Sequence, residues 1–210
     1  MSLFLLTFGA LFSIMNPLGS VPIFIGLTQQ NTKKEKSHTS FLTSLNVLII
    51  LVISYFAGKY VLFLFGISLD SLKIAGGLII ASSGFALLTG KFAEHKGMGK
   101  VGVRKDLETR SDISLTPLAI PMLAGPGTIS LLITYNQEYH ASNEILIILG
   151  AMLASAASIY LILRSSQYIA KVLGASGINA LSRIIGFIVI AIGIEYITSA
   201  IINIVNALKV

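Results

Sequence analysis

Six stretches of this chain run for about twenty residues or more with almost no charge: 3–28, 38–65, 69–88, 115–135, 145–163 and 184–205. The hydrocarbon core of a bilayer is ~30 Å thick and a helix rises ~1.5 Å per residue, so ~20 apolar residues span it. Backbone groups in hydrocarbon find no water, and a helix is the form in which a single segment satisfies its own. The stretches therefore predict an all-α integral membrane protein with six transmembrane helices. A soluble core cannot hide this surface in 210 residues: 54% are hydrophobic and only 11% charged, against ~25% charged in ordinary soluble domains. The opening Met1-Ser2-Leu3-Phe4-Leu5 has no basic flank, and no small-residue cleavage site closes the first stretch, so it is read as a retained helix.

Charge sets the orientation. The segment after the first stretch carries Lys33, Lys34 and Lys36. The segment 89–114 carries Lys91, Lys96, Lys100, Arg104, Lys105 and Arg110, and Arg164, Lys171 and Arg183 separate the last two stretches. With six crossings these three loops share one side, and only Lys59, Lys73 and Lys209 fall on the other. The positive-inside rule makes the rich side cytoplasmic, with both termini outside and 89–114 inside. The same reading explains the net charge of +6 without nucleic acid, for which no basic helix with interleaved aromatics is present. A Gly-x-Gly-x-x-Gly at Gly97, Gly99 and Gly102 follows a membrane helix rather than a strand, so it is read as linker and not as a phosphate cradle.

The halves resemble each other at a nearly constant offset. Asn16-Pro17-Leu18-Gly19 is matched by Gly125-Pro126-Gly127-Thr128, 109 residues on. Phe65-Gly66-Ile67-Ser68 is matched by Leu173-Gly174-Ala175-Ser176, and Lys73-Ile74-Ala75-Gly76 by Arg183-Ile184-Ile185-Gly186. Three helices per half put the second half upside down relative to the first, an inverted-topology repeat of the kind found in secondary transporters. The organisation predicted is a first repeat over 1–90, a cytoplasmic linker over 91–114 and a second repeat over 115–210.

Both first helices are interrupted near mid-membrane, one by Asn16-Pro17-Leu18-Gly19-Ser20-Val21-Pro22, the other by Pro117, Pro121 and Ala124-Gly125-Pro126-Gly127-Thr128. Proline removes a donor and clashes with the preceding turn, at ~3 kcal/mol in a helix interior. Such a break survives in a membrane only where protein or water covers it. Paired breaks in two inverted halves point to a substrate site, because helix ends exposed there present free N–H groups to an anion. Asn16, Pro17, Gly19, Ser20, Gly125, Pro126, Gly127, Thr128 and Ser130 are the candidate binding residues, with Asn46 of the second stretch either a further one or interhelical glue. A carboxylate suits these groups, and a small zwitterion suits the lack of a second buried charge.

Glu195 is the one acidic residue away from the end of a stretch; Asp70 sits at an outer end. Twelve residues beyond Arg183, it is expected ~18 Å deep. A carboxylate there is costly, so Glu195 is read as a proton-coupling group or a partner for a substrate ammonium, against a structural hydrogen-bonding role. His38, His95 and His140 are scattered and the chain has no cysteine, so no metal site, cofactor or thiol nucleophile is expected.

The layout, the motif 16–22, Ile120-Pro121-Met122-Leu123-Ala124-Gly125-Pro126-Gly127-Thr128-Ile129, and Arg183-Ile184-Ile185-Gly186 leading to Ile194-Glu195 resemble the MarC family, also called the small neutral amino acid transporter (SnatA) family. The resemblance covers essentially the whole chain. It implies a multi-pass prokaryotic inner-membrane protein that moves glycine, alanine and similar amino acids. The alternatives are export of another small metabolite or drug, and a membrane scaffold that transports nothing. No Gly-x-x-x-x-Gly-Lys-Ser/Thr is present, so the expected energy source is a gradient of protons, another ion or substrate. An intramembrane enzyme is not expected, since the chain has no protease-like nucleophile, aspartate pair or His-Glu-x-x-His. A homo-oligomer in the bilayer stays open.

Overall fold

The computed structural model describes residues 2–92 and 113–208, and all regular structure among them is helical. The elements are α1 (Ser2–Met15), α2 (Val21–Leu27), α3 (Lys33–Phe65), α4 (Leu69–Leu88), α5 (Ser114–Leu123), α6 (Pro126–Glu138), α7 (Ser142–Arg164) and α8 (Ser166–Ala207). Four of them, α3, α4, α7 and α8, are long and apolar enough to cross a membrane, and the bent pair α5–α6 makes a fifth if counted as one span. The Gly97, Gly99 and Gly102 motif and His95 lie outside the described residues.

Local chemistry sets the helix ends. Thr32 and Glu35 form a reciprocal cap: the Glu35 N–H donates to Thr32 Oγ1 at 3.3 Å and the Thr32 N–H to Glu35 Oε2 at 2.6 Å. This satisfies two donors that a helix start leaves open, so α3 begins at Lys33 and not at residue 38 as the hydropathy predicts. Its far end stops at Gly66 in the left-handed region (φ 62), where a side chain is disfavoured, and the Ile67 N–H closes the end on Leu62 O at 3.0 Å. Ser68 then caps α4 by accepting from the Ser71 N–H at 3.1 Å, and α4 occupies the predicted 69–88.

The first stretch, expected to be interrupted over 16–22, is α1 and α2 joined by a turn over 16–20. The fourth, expected to be interrupted between Pro117 and Thr128, divides into α5 and α6, bent by 67° at 124–125. One expectation is corrected. The basic segment between the last two stretches is not a loop. It is the opening of α8, which has no proline and turns at Gly174 (φ 63, ψ 175) before running on to Ala207.

The most extensive packing joins α4 to α8. A Cβ added at Gly77 would lie 2.6 Å from Gly193 O, and one at Gly193 would lie 2.6 Å from Gly77 O. Gly84 and Gly186 meet the same way, at 2.7 and 2.8 Å from each other's carbonyl. The partner falls from 193 to 186 as α4 advances from 77 to 84, so the helices are antiparallel with their backbones touching. Lipid tails are as apolar as leucine, so close backbone packing of this sort is what holds membrane helices together. Around the pair, α3 packs on α5, α6 and α7, α1 on α7, and α2 on α8. Leu11, Met15, Phe24, Leu51, Leu118 and Leu131 fill the interior, while Phe63 (89% exposed) and Phe187 (68%) face outward, as suits a lipid-facing surface.

Gly84→Leu is expected to force α4 off α8 at a cost of at least ~1–3 kcal/mol, lowering the thermal unfolding midpoint of detergent-purified protein by several degrees. Gly9→Ala, where nothing lies within 4 Å of the added Cβ, is expected to leave it the same or slightly raised, since alanine is the better helix former.

Candidate functional site

The helix α1 ends because Asn16 takes up a left-handed conformation (φ 43), which asparagine tolerates better than other non-glycine residues. Its side chain then caps the turn, with Oδ1 accepting from the Gly19 N–H at 3.2 Å. The Ser20 hydroxyl donates to Asn16 O at 3.3 Å, and the Ser20 and Val21 amides reach Pro17 O and Leu18 O at 3.3 and 3.1 Å. The break thus closes most of its own hydrogen bonds away from water, as hydrocarbon requires. Asn16, Pro17 and Ser20 are buried. Among the side chains of the turn, Asn16 Nδ2 is buried without a partner. A Cβ at Gly19 would sit 2.2 Å from that Nδ2, so any larger residue there has to displace the Asn16 amide.

The second break closes differently. The irregular helix α5 departs from helical angles at Thr116 and Ile120, and the Ala124 N–H ends it on Ala119 O at 2.8 Å. Pro126 opens α6, where its missing N–H costs nothing, and the first backbone bond runs from the Ile129 N–H to Gly125 O at 3.1 Å. The amides of Gly127 and Thr128 stand ahead of that ladder. The Thr128 hydroxyl turns back to Leu123 O at 3.5 Å, and Ser130 Oγ donates across to Leu72 O of α4 at 3.3 Å. Gly125, Gly127, Thr128 and Ser130 are buried, and Pro126 is exposed. The two breaks come together in the core: a Cβ on Gly127 would meet Ile80 Cγ1 at 2.9 Å and Ile14 Cγ2, two residues before Asn16, at 3.7 Å.

Residues 1–205 match the family described as MarC family integral membrane protein. The chain belongs to the MarC family. It is 36% identical over 194 residues to the UPF0056 membrane protein YhcE of Escherichia coli K12, covering 92% of this chain and 89% of that one. It is 34% identical over 204 residues to the UPF0056 inner membrane protein MarC of Salmonella typhimurium, covering 93% and 92%. A UPF0056 membrane protein of Buchnera aphidicola subsp. Schizaphis graminum matches at 34% over 207 residues, 99% of this chain and 95% of the relative. No solved structure matches. These names and the apolar helices fit a multi-pass inner-membrane protein.

Two candidate residues of this MarC-family chain stand apart from the breaks. The Asn46 amide donates to Ser114 Oγ at 3.2 Å, tying α3 to the first residue of α5. Glu195 lies on the exposed face of α8 beside Ile194, so it is not placed to meet a substrate ammonium at the breaks. The reason is angular. A helix turns 100° per residue, so Glu195 is about half a turn round from Gly193 and Gly186, which face α4.

Two features escaped the sequence reading. Ser182 of α8 is buried, and its hydroxyl stands 3.2 Å from where a Gly19 Cβ would be. Four residues before Gly186, it falls on the α4-facing side of α8, a position legible only once that face is known. Lys73 is buried and ion-paired with Glu138 at the end of α6. Helix α4 thereby holds α6 at three levels, through Ile80 with Gly127, Leu72 with Ser130, and Lys73 with Glu138.

Glu138→Gln leaves the buried Lys73 ammonium without its counter-charge and is expected to destabilise the protein more than the double change Lys73→Met with Glu138→Leu. Thermal unfolding of the three proteins in detergent measures the difference. The penalty should stay below the ~3–5 kcal/mol of a fully buried pair, because the Glu138 side chain is 34% exposed.

Proposed function

We propose that this chain is a secondary transporter of small neutral amino acids such as glycine and alanine, with substrate held between the 16–20 turn and the start of α6. The observation that carries this reading is the meeting of two helix interruptions in the core of a MarC-family membrane protein, one of them leaving the buried Asn16 amide unpartnered. A protein that needed only to pack would have no use for two breaks whose backbone must be satisfied away from water. The lining side chains are short and neutral, which suits a small ligand that carries its own compensating charges.

The same proposal divides the chain into inverted repeats, α1–α4 against α5–α8, as six spans. Support comes from the glycine seam. The offset of 109 that relates Pro17 to Pro126 also relates Gly77 to Gly186 and Gly84 to Gly193. Each glycine packs on the repeat-mate of the other, Gly77 on Gly193 and Gly84 on Gly186, which is the pairing that a two-fold axis through the seam requires. In this proposal both termini face outward and 89–114 is cytoplasmic. Glu195 takes the coupling proton from its place on α8 and makes no contact with substrate.

In proteoliposomes, wild type is expected to exchange alanine, whereas Gly127→Leu and Gly19→Leu, which drive a side chain into Ile80 and Asn16, are expected to reach the membrane and lose exchange at least tenfold. Normal exchange by both variants places the site elsewhere. Glu195→Gln is expected to keep alanine counterflow and lose pH-driven accumulation; equal accumulation in variant and wild type removes Glu195 from coupling. Because the native chain has no thiol, a single cysteine at position 99 reports the topology, and it should resist an impermeant reagent in sealed cells.

A further inference from the structure

We infer that Ser182 of α8 and Asn16 together form the point that binds the carboxylate of the substrate, a deepening that rests on the transporter reading above. Asn16 is completely buried and Ser182 is 7% exposed, and both Asn16 Nδ2 and Ser182 Oγ lack a hydrogen-bond partner. They flank one spot, 2.2 and 3.2 Å from the position of a Gly19 Cβ, and so lie within about 5.4 Å of each other. The orientation of the Asn16 amide is settled by the Gly19 N–H, which occupies Oδ1 and leaves the two N–H groups of Nδ2 free.

The Ser182 hydroxyl has an obvious alternative that it does not take. Hydroxyls in helices or at their last turn in this chain do donate to the carbonyl four residues back: Thr28 to Phe24 O, Ser40 to Lys36 O and Thr89 to Phe85 O. Ser182 stays unpartnered beside a second unpartnered donor. Thr7, Thr43, Tyr55, Thr134, Ser155 and Tyr196 also hold buried hydroxyls without a partner; what distinguishes Ser182 is the second unpartnered donor, the Asn16 amide, converging on the same spot.

Three buried hydrogen-bond donors converging on one spot call for an oxygen acceptor with several lone pairs, and a carboxylate supplies two such oxygens. The neighbouring Arg183 does not supply a charge to the spot, because it is exposed and its guanidinium lies 3.8 Å from a Cβ built at Gly90, at the end of α4. Neutral donors alone favour a carboxylate whose charge is offset on the ligand itself, which selects a zwitterion over a simple anion or a phosphate. The tight fit of Gly19 against Asn16 selects a small one. Residues from both proposed repeats then share one ligand group, so that movement of α2 against α8 releases it.

Purified wild type, Ser182→Ala and Ser182→Thr are compared by thermal shift and calorimetric titration with L-alanine, L-alaninol and L-lactate. Ser182→Ala removes a hydroxyl bonded to no protein group, so its ligand-free unfolding temperature should equal or exceed that of wild type. Alanine should bind it at least tenfold more weakly than wild type, with Ser182→Thr restoring binding. Alaninol, which lacks the carboxylate, should bind all three proteins equally poorly. Undiminished alanine affinity in Ser182→Ala overturns the inference and leaves the transporter reading standing, and a lowered ligand-free unfolding temperature overturns the claim that the hydroxyl is unpartnered. If wild type binds no alanine, the neutral amino acid reading falls and lactate decides the site: binding lost in Ser182→Ala upholds a carboxylate point, and its absence in wild type overturns it.

Discussion

The glycine seam between α4 and α8 is the constraint on which the rest of this structure depends. Between helices in lipid there is no hydrophobic gain of the kind that drives a soluble core, since apolar side chains leave one apolar surroundings for another. What remains is close contact and the satisfaction of polar groups. At Gly77, Gly84, Gly186 and Gly193 the two backbones approach until an added methyl would overlap a carbonyl. That approach sets the rotation of both helices. It turns Gly76 and Ile80 of α4 towards Ser130 and Gly127 of α6, puts Ser182 beside the 16–20 turn, and leaves Phe187, Ile194 and Glu195 outside.

Around this seam the chain meets the cost of interrupting helices in two ways. At 16–20 the turn bonds to itself through Asn16 and Ser20, and one amide donor is left without a partner. At 124–128 proline stands where no donor is needed, and the hydroxyls of Thr128 and Ser130 are spent on carbonyls of Leu123 and Leu72. The breaks therefore match in position but not in polar economy. The side chains of the second are spent on carbonyls and braced by α4 up to the Lys73–Glu138 pair; the first, with Ser182, holds the side-chain donors that have no partner. This asymmetry is why the carboxylate point is assigned to the 16–20 side.

Much of the architecture was legible in the chain before any coordinates. Hydropathy located α4 to the residue and α7 to within three, because a lipid-crossing helix must be apolar over its whole length. The breaks were legible because proline and glycine act on their own backbone. The Thr32–Glu35 cap was present as a Thr-x-x-Glu signal and moved the start of α3 outward. The helical character of 166–183 was not legible from hydropathy, since a charged helix at the membrane edge has the composition of a loop.

For the site, the sequence by itself determined which residue types sit at the interruptions and where along the chain they fall, because position along a helix is a matter of counting. It did not determine which way the helices face. Almost all-round apolarity removes the polar stripe that marks the buried side of a soluble helix, so the direction of Glu195 and the approach of Ser182 to Asn16 were decided only when α8 packed on α4. Face is a property of the pair of helices and not of either alone: the same glycines that are interchangeable in a hydropathy profile become, in contact, the points that fix the rotation of everything between them.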